Sequence, residues 1–399
     1  MRRRLLLFLV TIDFVLVCAF AYCWGGGLVQ FLGQHLSLKF YNGVLNLYVP
    51  GVLGAQEEGI PNIYRDVTAS MYPAIAQNEQ RLWYESQEEN LAYYENQAAE
   101  ENEQAKQIIG YWCEEIQRGR ALGQGICVAV LDTGICAHPD FGKRILEFRD
   151  FVHRKEQMYD DSGHGTHVAG ILAGDGRISG GTYAGIAPKA SLLIAKVLDQ
   201  DGNGSVESVL EGMRWVLSMR KKYPIRVVNI SVGAKPNLEQ RQKKRLILGA
   251  ESLWDAGIAV VASAGNDGPE RGSIASPGDS RKIITVGAYE EIRRGRTRMG
   301  QRWKYSGRGP SDTCIVKPDL VAPGLGIISC GRIDKEKKAY VEKSGTSMAA
   351  PIVSGAVACL LSEYPDMTNV EVKLKLRESC ISLDEEGTGW GLLNIGELL

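Results

Sequence analysis

No two of the nine cysteines stand in a Cys-x-x-Cys pair, which excludes zinc-ribbon and thioredoxin-like motifs. Their number is odd, and no disulfide pairing can be read from it. Net charge is almost absent. The 46 Lys and Arg against 47 Asp and Glu leave −1, too little for a global pull toward nucleic acid. No glutamate occupies the helical His-Glu-x-x-His position beside His164 and His167, so that pair does not read as a zinc protease site. The 46 glycines have no fixed period, which excludes collagen. Many of them follow short apolar runs, as turns of an α/β fold do. There is no internal repeat.

What is present divides the 399 residues into three regions, enough chain for one large domain or two ordinary ones. Residues 1–24 read as an export signal. Arg2, Arg3 and Arg4 precede an apolar run from Leu5 to Cys23, the order of a secretory signal or signal anchor. The run is long enough to span a bilayer, which favours an uncleaved anchor through residues 5–23. Asp13 interrupts it, at about 3 kcal/mol at the centre of a spanning helix. Ala19 and Ala21 offer a small-x-small cleavage site. Anchor and removed signal peptide both stay open. Either one puts the remainder of the chain outside the cytoplasm.

Residues 25–110 read as a pro-like or accessory region. Up to about 75 no fold can be assigned. Leu82, Tyr84, Leu91, Tyr94 and Ala98 then recur at helical spacing within a Glu- and Gln-rich stretch, predicting a solvated acidic helix over 76–109. A docking arm or pro-segment is the sharper alternative. From 111 to 399 apolar strands alternate with amphipathic helices, so a parallel sheet flanked by helices is expected. Predicted strands are Ile126–Leu131, Ser191–Val197, Arg226–Ser231, Ile258–Ser263 and Ile283–Val286. Predicted helices are Gly165–Ala173, Val206–Arg220, Leu238–Asp255, Met348–Glu363 and Asn369–Glu378. The basic clusters Lys243–Arg245 and Arg293–Arg298 read as a helix face and an exposed loop. Cys127 and Cys359, within apolar segments, read as small buried hydrophobes.

Three motifs carry chemistry. Val128–Gly134 is an apolar strand ending in Asp132-Thr133-Gly134, and strand carboxyl ends are where open α/β sheets bind ligands. Aspartic proteases share the tripeptide but need two copies, and this chain has one. In Asp161–Gly170, His164 enters a helix between glycines that permit close backbone approach. His167, one turn later, reads as structural. In Ser344–Pro351, Ser347 stands where an alanine-rich helix begins. That is a common place for a capping serine, and also one where helix N–H groups favour a developing oxyanion.

The order Asp, His, Ser differs from that of chymotrypsin-like enzymes and α/β-hydrolases. With the motifs in that order, the chain resembles the subtilisin-like serine proteases over about 120–396. Tyr183–Pro188, Lys317–Gly324 and Gly389–Asn394 resemble the family's connecting and closing segments. The resemblance implies an α/β, three-layer subtilisin-like fold with a mostly parallel central sheet and helices on both faces. It implies a serine endopeptidase with Ser347 as nucleophile, His164 as base and Asp132 as its orienting carboxylate. Asn266, in Ala264-Gly265-Asn266, matches the family's oxyanion asparagine. Ser231, Val232 and Gly233 match the strand that pairs with extended substrate. Gly233, Ser263 and Ala275 would border the side-chain pocket.

The match departs in places. Gly174–Thr182 does not look like the family's calcium loop, and Asp140, which matches one calcium ligand, is a single carboxylate. No metal and no cofactor are therefore assigned. Expected partners are polypeptides bound in extended form, with the chain's own N-terminal region as an intramolecular inhibitor and no nucleic acid. A non-catalytic binder on the same fold, a single-copy aspartic protease and an ester hydrolase are the competing functions.

Overall fold

A computed structural model of the chain describes residues 102–233, 238–289, 305–311, 314, 316–333 and 338–399. It also describes the backbone of two short strands. The expected export segment, most of the stretch read as an acidic helix and the Arg293–Arg298 cluster lie outside the described residues. The chain divides into two units, Met1–Glu88 and Glu89–Leu399. In the first, β1 (Ser37–Tyr41) and β2 (Val44–Tyr48) pair antiparallel, with Tyr41 opposite Val44. Asn42-Gly43 stands between them in the sequence, the dipeptide most favoured in two-residue hairpin connections.

The second unit is built on a seven-stranded parallel sheet. Its strands are β3 (Cys127–Asp132), β4 (Ile145–Asp150), β5 (Ser191–Lys196), β6 (Ile225–Ile230), β7 (Ala259–Ser263), β8 (Ile284–Tyr289) and β9 (Leu320–Pro323). Their spatial order is β4-β5-β3-β6-β7-β8-β9. The chain leaves β3 for the edge, returns through β5 and then continues on the other side of β3. The order therefore reverses at β3, and Asp132 is its last residue. Every residue of β3 is buried, so both faces of the sheet are covered there. This explains the mostly apolar runs that identify β3, β5, β6, β7 and β8 in the sequence. The two strands the sequence did not reveal have reasons of their own. β4 is a half-buried edge, and β9 is four residues long and ends in proline.

Before the sheet come two short helices, α1 (102–108) and α2 (Glu114–Gln117). Helices α3 (His164–Ala173), α4 (Val206–Met219), α5 (Gln240–Asp255), α6 (Thr346–Glu363) and α7 (Asn369–Ser379) fall where the sequence predicts them. Helix α3 lies against α6, and α4 lies against α5. Helix α6 is long and apolar enough to cross a membrane, yet it is the core helix of the unit, buried along Met348–Leu361. Lys244 and Arg245 are exposed on α5, as expected of a helix face. An antiparallel hairpin, β10 (Ile327–Cys330) and β11 (Tyr340–Lys343), stands apart from the main sheet and leads into the Ser347 turn.

Helix α1 exposes Gln104 and Gln107 but buries Asn102 and Lys106, so one face of it is packed, which the expectation of a solvated helix over 76–109 did not include. Asn102 Nδ2 donates to Ile328 O, and Ile328 N–H donates to Asn102 Oδ1, at 3.0 and 3.1 Å, so the amide acts as an extra rung on the edge of β10. Lys106 is buried over the rings of Tyr111 and Trp112, and burial lowers its pKa to about 8. Ile109 is fully buried, and its carbonyl accepts from Ile395 N–H near the C-terminus.

Candidate active site

The carboxyl ends of β3, β6 and β7 carry Asp132, Ser231 and the Ala264–Asn266 turn, so three neighbouring strands deliver polar groups to one rim. Asp132 is completely buried and its Oδ1 lies 2.7 Å from His164 Nδ1. The same oxygen accepts Thr133 N–H at 2.7 Å. Two glycines allow this approach. A Cβ on Gly165 would lie 2.2 Å from Gly134 O, and one on Gly134 would lie 2.2 Å from Tyr159 O. The strand end and the helix start therefore touch through bare backbone, and the imidazole drops onto the carboxylate.

The His164 side chain is 27% exposed, so one edge reaches solvent while the other sits on Asp132. Burial opposes its protonation. The Asp132 charge and hydrogen bond outweigh that and raise its pKa above the ordinary histidine value. His167 behaves oppositely. It is fully buried, its Nε2 faces Ile327 O and Val341 O at 3.1 and 2.9 Å, and desolvation drives its pKa down to about 3. It is a neutral strut between α3 and the hairpin, as the sequence predicts.

Ser347 is the second residue of α6, and the cap is Gly345, so the serine is not the capping residue. Its Oγ–H donates to Ser231 O at 3.1 Å, and Ser231 Oγ–H donates to Ser347 O at 3.2 Å. The second bond has a cause in the sequence. Pro351 stands four residues after Ser347 and has no N–H, so Ser347 O loses its helical donor and takes the Ser231 hydroxyl instead. Asn229 and Ser354 continue the link. Asn229 Nδ2 donates to Ser231 Oγ and Ser354 Oγ–H donates to Asn229 Oδ1, each at 2.8 Å.

Asn266 is exposed, and its Oδ1 accepts the N–H of Thr346 at 2.9 Å and the Thr346 hydroxyl at 3.0 Å. A backbone donor fixes which end of the amide is oxygen. The Nδ2 group therefore faces away from Thr346, with no hydrogen-bond partner among the described residues. Gly233 and Ala275 are in contact, since a Cβ on Gly233 would stand 2.6 Å from Ala275 Cβ. A Cβ on Gly265, whose φ is +91°, would stand 2.7 Å from the same methyl group. Ser263 is buried at the end of β7, paired in register with Val286.

The sequence did not single out Asp160 or Lys196. Asp160 accepts from Thr133 Oγ1, Gly163 N, Thr166 N and Thr166 Oγ1 at 2.6 to 2.8 Å, tying the turn after Asp132 to the first turn of α3. Burial would raise its pKa, but those donors hold it below the usual value. Lys196 is fully buried, and its Nζ donates to Thr133 O and Leu198 O at 2.7 Å and to Asp161 at 2.6 Å. A lone lysine in the apolar Ser191–Val197 run was the available signal.

The model of the subtilase family matches residues 123–391, two thirds of the chain. The chain belongs to the subtilase family. The serine protease AprX of Bacillus subtilis is 41% identical over 279 residues, 66% of this chain and 63% of that protein. Subtilisin Savinase of Lederbergia lenta is 34% identical over 68% of this chain and 90% of its own length. The thermostable alkaline protease of Halalkalibacterium halodurans is 34% identical over 69% and 68%. The chain thus spans just under two thirds of the first of these relatives. The mostly parallel sheet with helices around it is the subtilase architecture the sequence predicts.

Proposed function

We propose that this protein is a serine endopeptidase that hydrolyses polypeptides through Ser347, His164 and Asp132. The observation that carries the reading is the 2.7 Å contact of buried Asp132 with partly exposed His164, with Ser347 bonded to Ser231 and Asn266 bonded to Thr346 at the ends of the neighbouring strands. The Ser347 hydroxyl turns from Ser231 O to His164 Nε2, which takes its proton as Oγ attacks the scissile carbonyl carbon. Asn266 Nδ2–H and the Ser347 backbone N–H receive the oxyanion. His164 then gives its proton to the leaving amine, and water repeats the sequence on the acyl-enzyme. Substrate lies extended along Ser231–Gly233 as an added strand, with its side chain toward Gly233, Ser263 and Ala275. Asp132, covered by His164, does not reach substrate, which disfavours the aspartic protease alternative.

We further propose that residues 5–23 carry the chain across a membrane and that the N-terminal region between residue 25 and Asn102 covers the cleft before maturation. The basic start, the apolar run and the acidic stretch support this. Hydrolysis of a casein substrate and of a peptide ester panel tests the activity. Ser347→Ala and His164→Ala should each lose about a million-fold in turnover, the size known for subtilisin's triad. Undiminished proteolysis by either variant, or inhibition by a pepstatin-type compound, would overturn the reading.

A further inference from the structure

Asp140 occupies the position that resembles a calcium ligand of the family, yet its surroundings do not suit calcium. Calcium takes six to eight oxygen ligands. Around Asp140 stand an imidazole nitrogen and a sulfur. His138 Nδ1 lies 3.9 Å from Asp140 Oδ2, and Cys330 Sγ lies 3.8 Å from the same oxygen. All three donor atoms fall within 4.8 Å of one another, and all three residues are buried. A triangle of those sides contains a point within about 2.5 Å of every corner, close to zinc–sulfur, zinc–nitrogen and zinc–oxygen bond lengths.

The donors are also oriented as ligands. His138 Nε2 faces Ala339 O at 2.9 Å, so Nε2 carries the hydrogen and Nδ1 presents its lone pair inward. Metal-bound histidines are held in this way by a carbonyl on the far nitrogen. Tyr340 O–H donates to Asp140 Oδ2 at 2.7 Å and Ile178 N–H to Oδ1 at 3.3 Å, which fixes the carboxylate. Cys330 is a free thiol, held against α3 so closely that a Cβ on Gly170 would come 2.8 Å from its sulfur.

We propose that His138 Nδ1, Asp140 Oδ2 and Cys330 Sγ supply three ligands of a zinc site, with one water completing the four that zinc takes. On binding, the metal–sulfur bond replaces the S–H bond and the proton leaves to solvent. Zn²⁺ with one thiolate, one carboxylate and one neutral imidazole is electrically neutral, as a buried site requires. Binding also displaces the 3.2 Å contact from Asp140 N–H to His138 Nδ1. The ion clips the turn after β3 to the β10–β11 hairpin. That hairpin holds His167 through Ile327 O and Val341 O and leads into the Ser347 turn, so the clip joins the histidine and serine sides of the site.

The test uses the full chain carrying Ser347→Ala, so that it does not digest itself. After exposure to zinc and dialysis against metal-free buffer, elemental mass spectrometry should find one zinc per chain. Cobalt in its place should give sulfur-to-cobalt charge-transfer absorption. A chelator should lower the Tm of the zinc-loaded parent. Adding Cys330→Ser or His138→Gln should weaken zinc binding by at least about 100-fold and abolish that fall. The cobalt spectrum of the parent keeps the test decisive should either variant fail to fold. A folded parent with no zinc and no charge-transfer band overturns the proposal. So does zinc retained by both variants, or a Tm raised by calcium alone and unaffected by Cys330→Ser.

Discussion

Thr346 gives both its backbone N–H and its hydroxyl to Asn266 Oδ1, at 2.9 and 3.0 Å. The residue just before Ser347 thereby aims the amide of an asparagine from the turn after another strand. Asn266→Ala should lower kcat by about 100- to 1000-fold with little change in KM, the magnitude known for the corresponding donor of subtilisin. Thr346→Val keeps the N–H bond and loses the hydroxyl bond, so it should cost less than Asn266→Ala. Steady-state kinetics on a peptide amide checks both.

The acid limb of the pH profile should follow His164. Its pKa is raised by Asp132, and the base works only when neutral, so kcat/KM should rise through a pKa above 6.5. Asp132→Asn removes the charge, moves that limb to lower pH and cuts kcat about 10⁴-fold. An unmoved limb in Asp132→Asn would contradict the coupling.

Stability should depend on pH through His167. Its folded pKa of about 3 lies below the unfolded value near 6.5, so the neutral form is favoured by folding. The contribution is complete above about 6.5 and is lost progressively as pH falls toward 3. In the Ser347→Ala background, urea unfolding from pH 7 to 4 should show this slope, and His167→Gln should flatten it.

Lys196→Met should destabilise by about 2–5 kcal/mol. It leaves Thr133 O and Leu198 O without their buried donor and removes the partner of Asp161. Denaturant unfolding measures the loss. A change below about 1 kcal/mol would show that the lysine is dispensable.

Self-trimming of the N-terminal region should stop upstream of Asn102. Asn102, Lys106, Ile109 and Tyr111 are buried, and Asn102 is bonded to Ile328, so this stretch does not present an extended backbone. Intact-mass analysis of the matured chain should find 102–399 retained.

Asp132, His164, Ser347 and Asn266 are legible as candidates because each is announced locally, by an apolar strand ending in a polar turn or by a helix beginning among glycines. The buried strands are legible for the same reason, as mostly apolar runs. Asp160 and Thr346 escaped because their partners are groups whose positions exist only after folding. Cys330 and Asp140 are 190 residues apart, and only the hairpin brings them together. That hairpin escaped as well, since its strands are four residues long and β11 is only partly buried.

The most direct test of the central claim is covalent labelling with a fluorophosphonate, read by intact mass on the parent and on Ser347→Ala and His164→Ala. A triad built on Ser347 predicts a single adduct on that residue of the parent, none on Ser347→Ala and strongly slowed labelling of His164→Ala. A folded parent that takes no label, both as 25–399 and as 102–399, or an adduct that persists in Ser347→Ala, would contradict it.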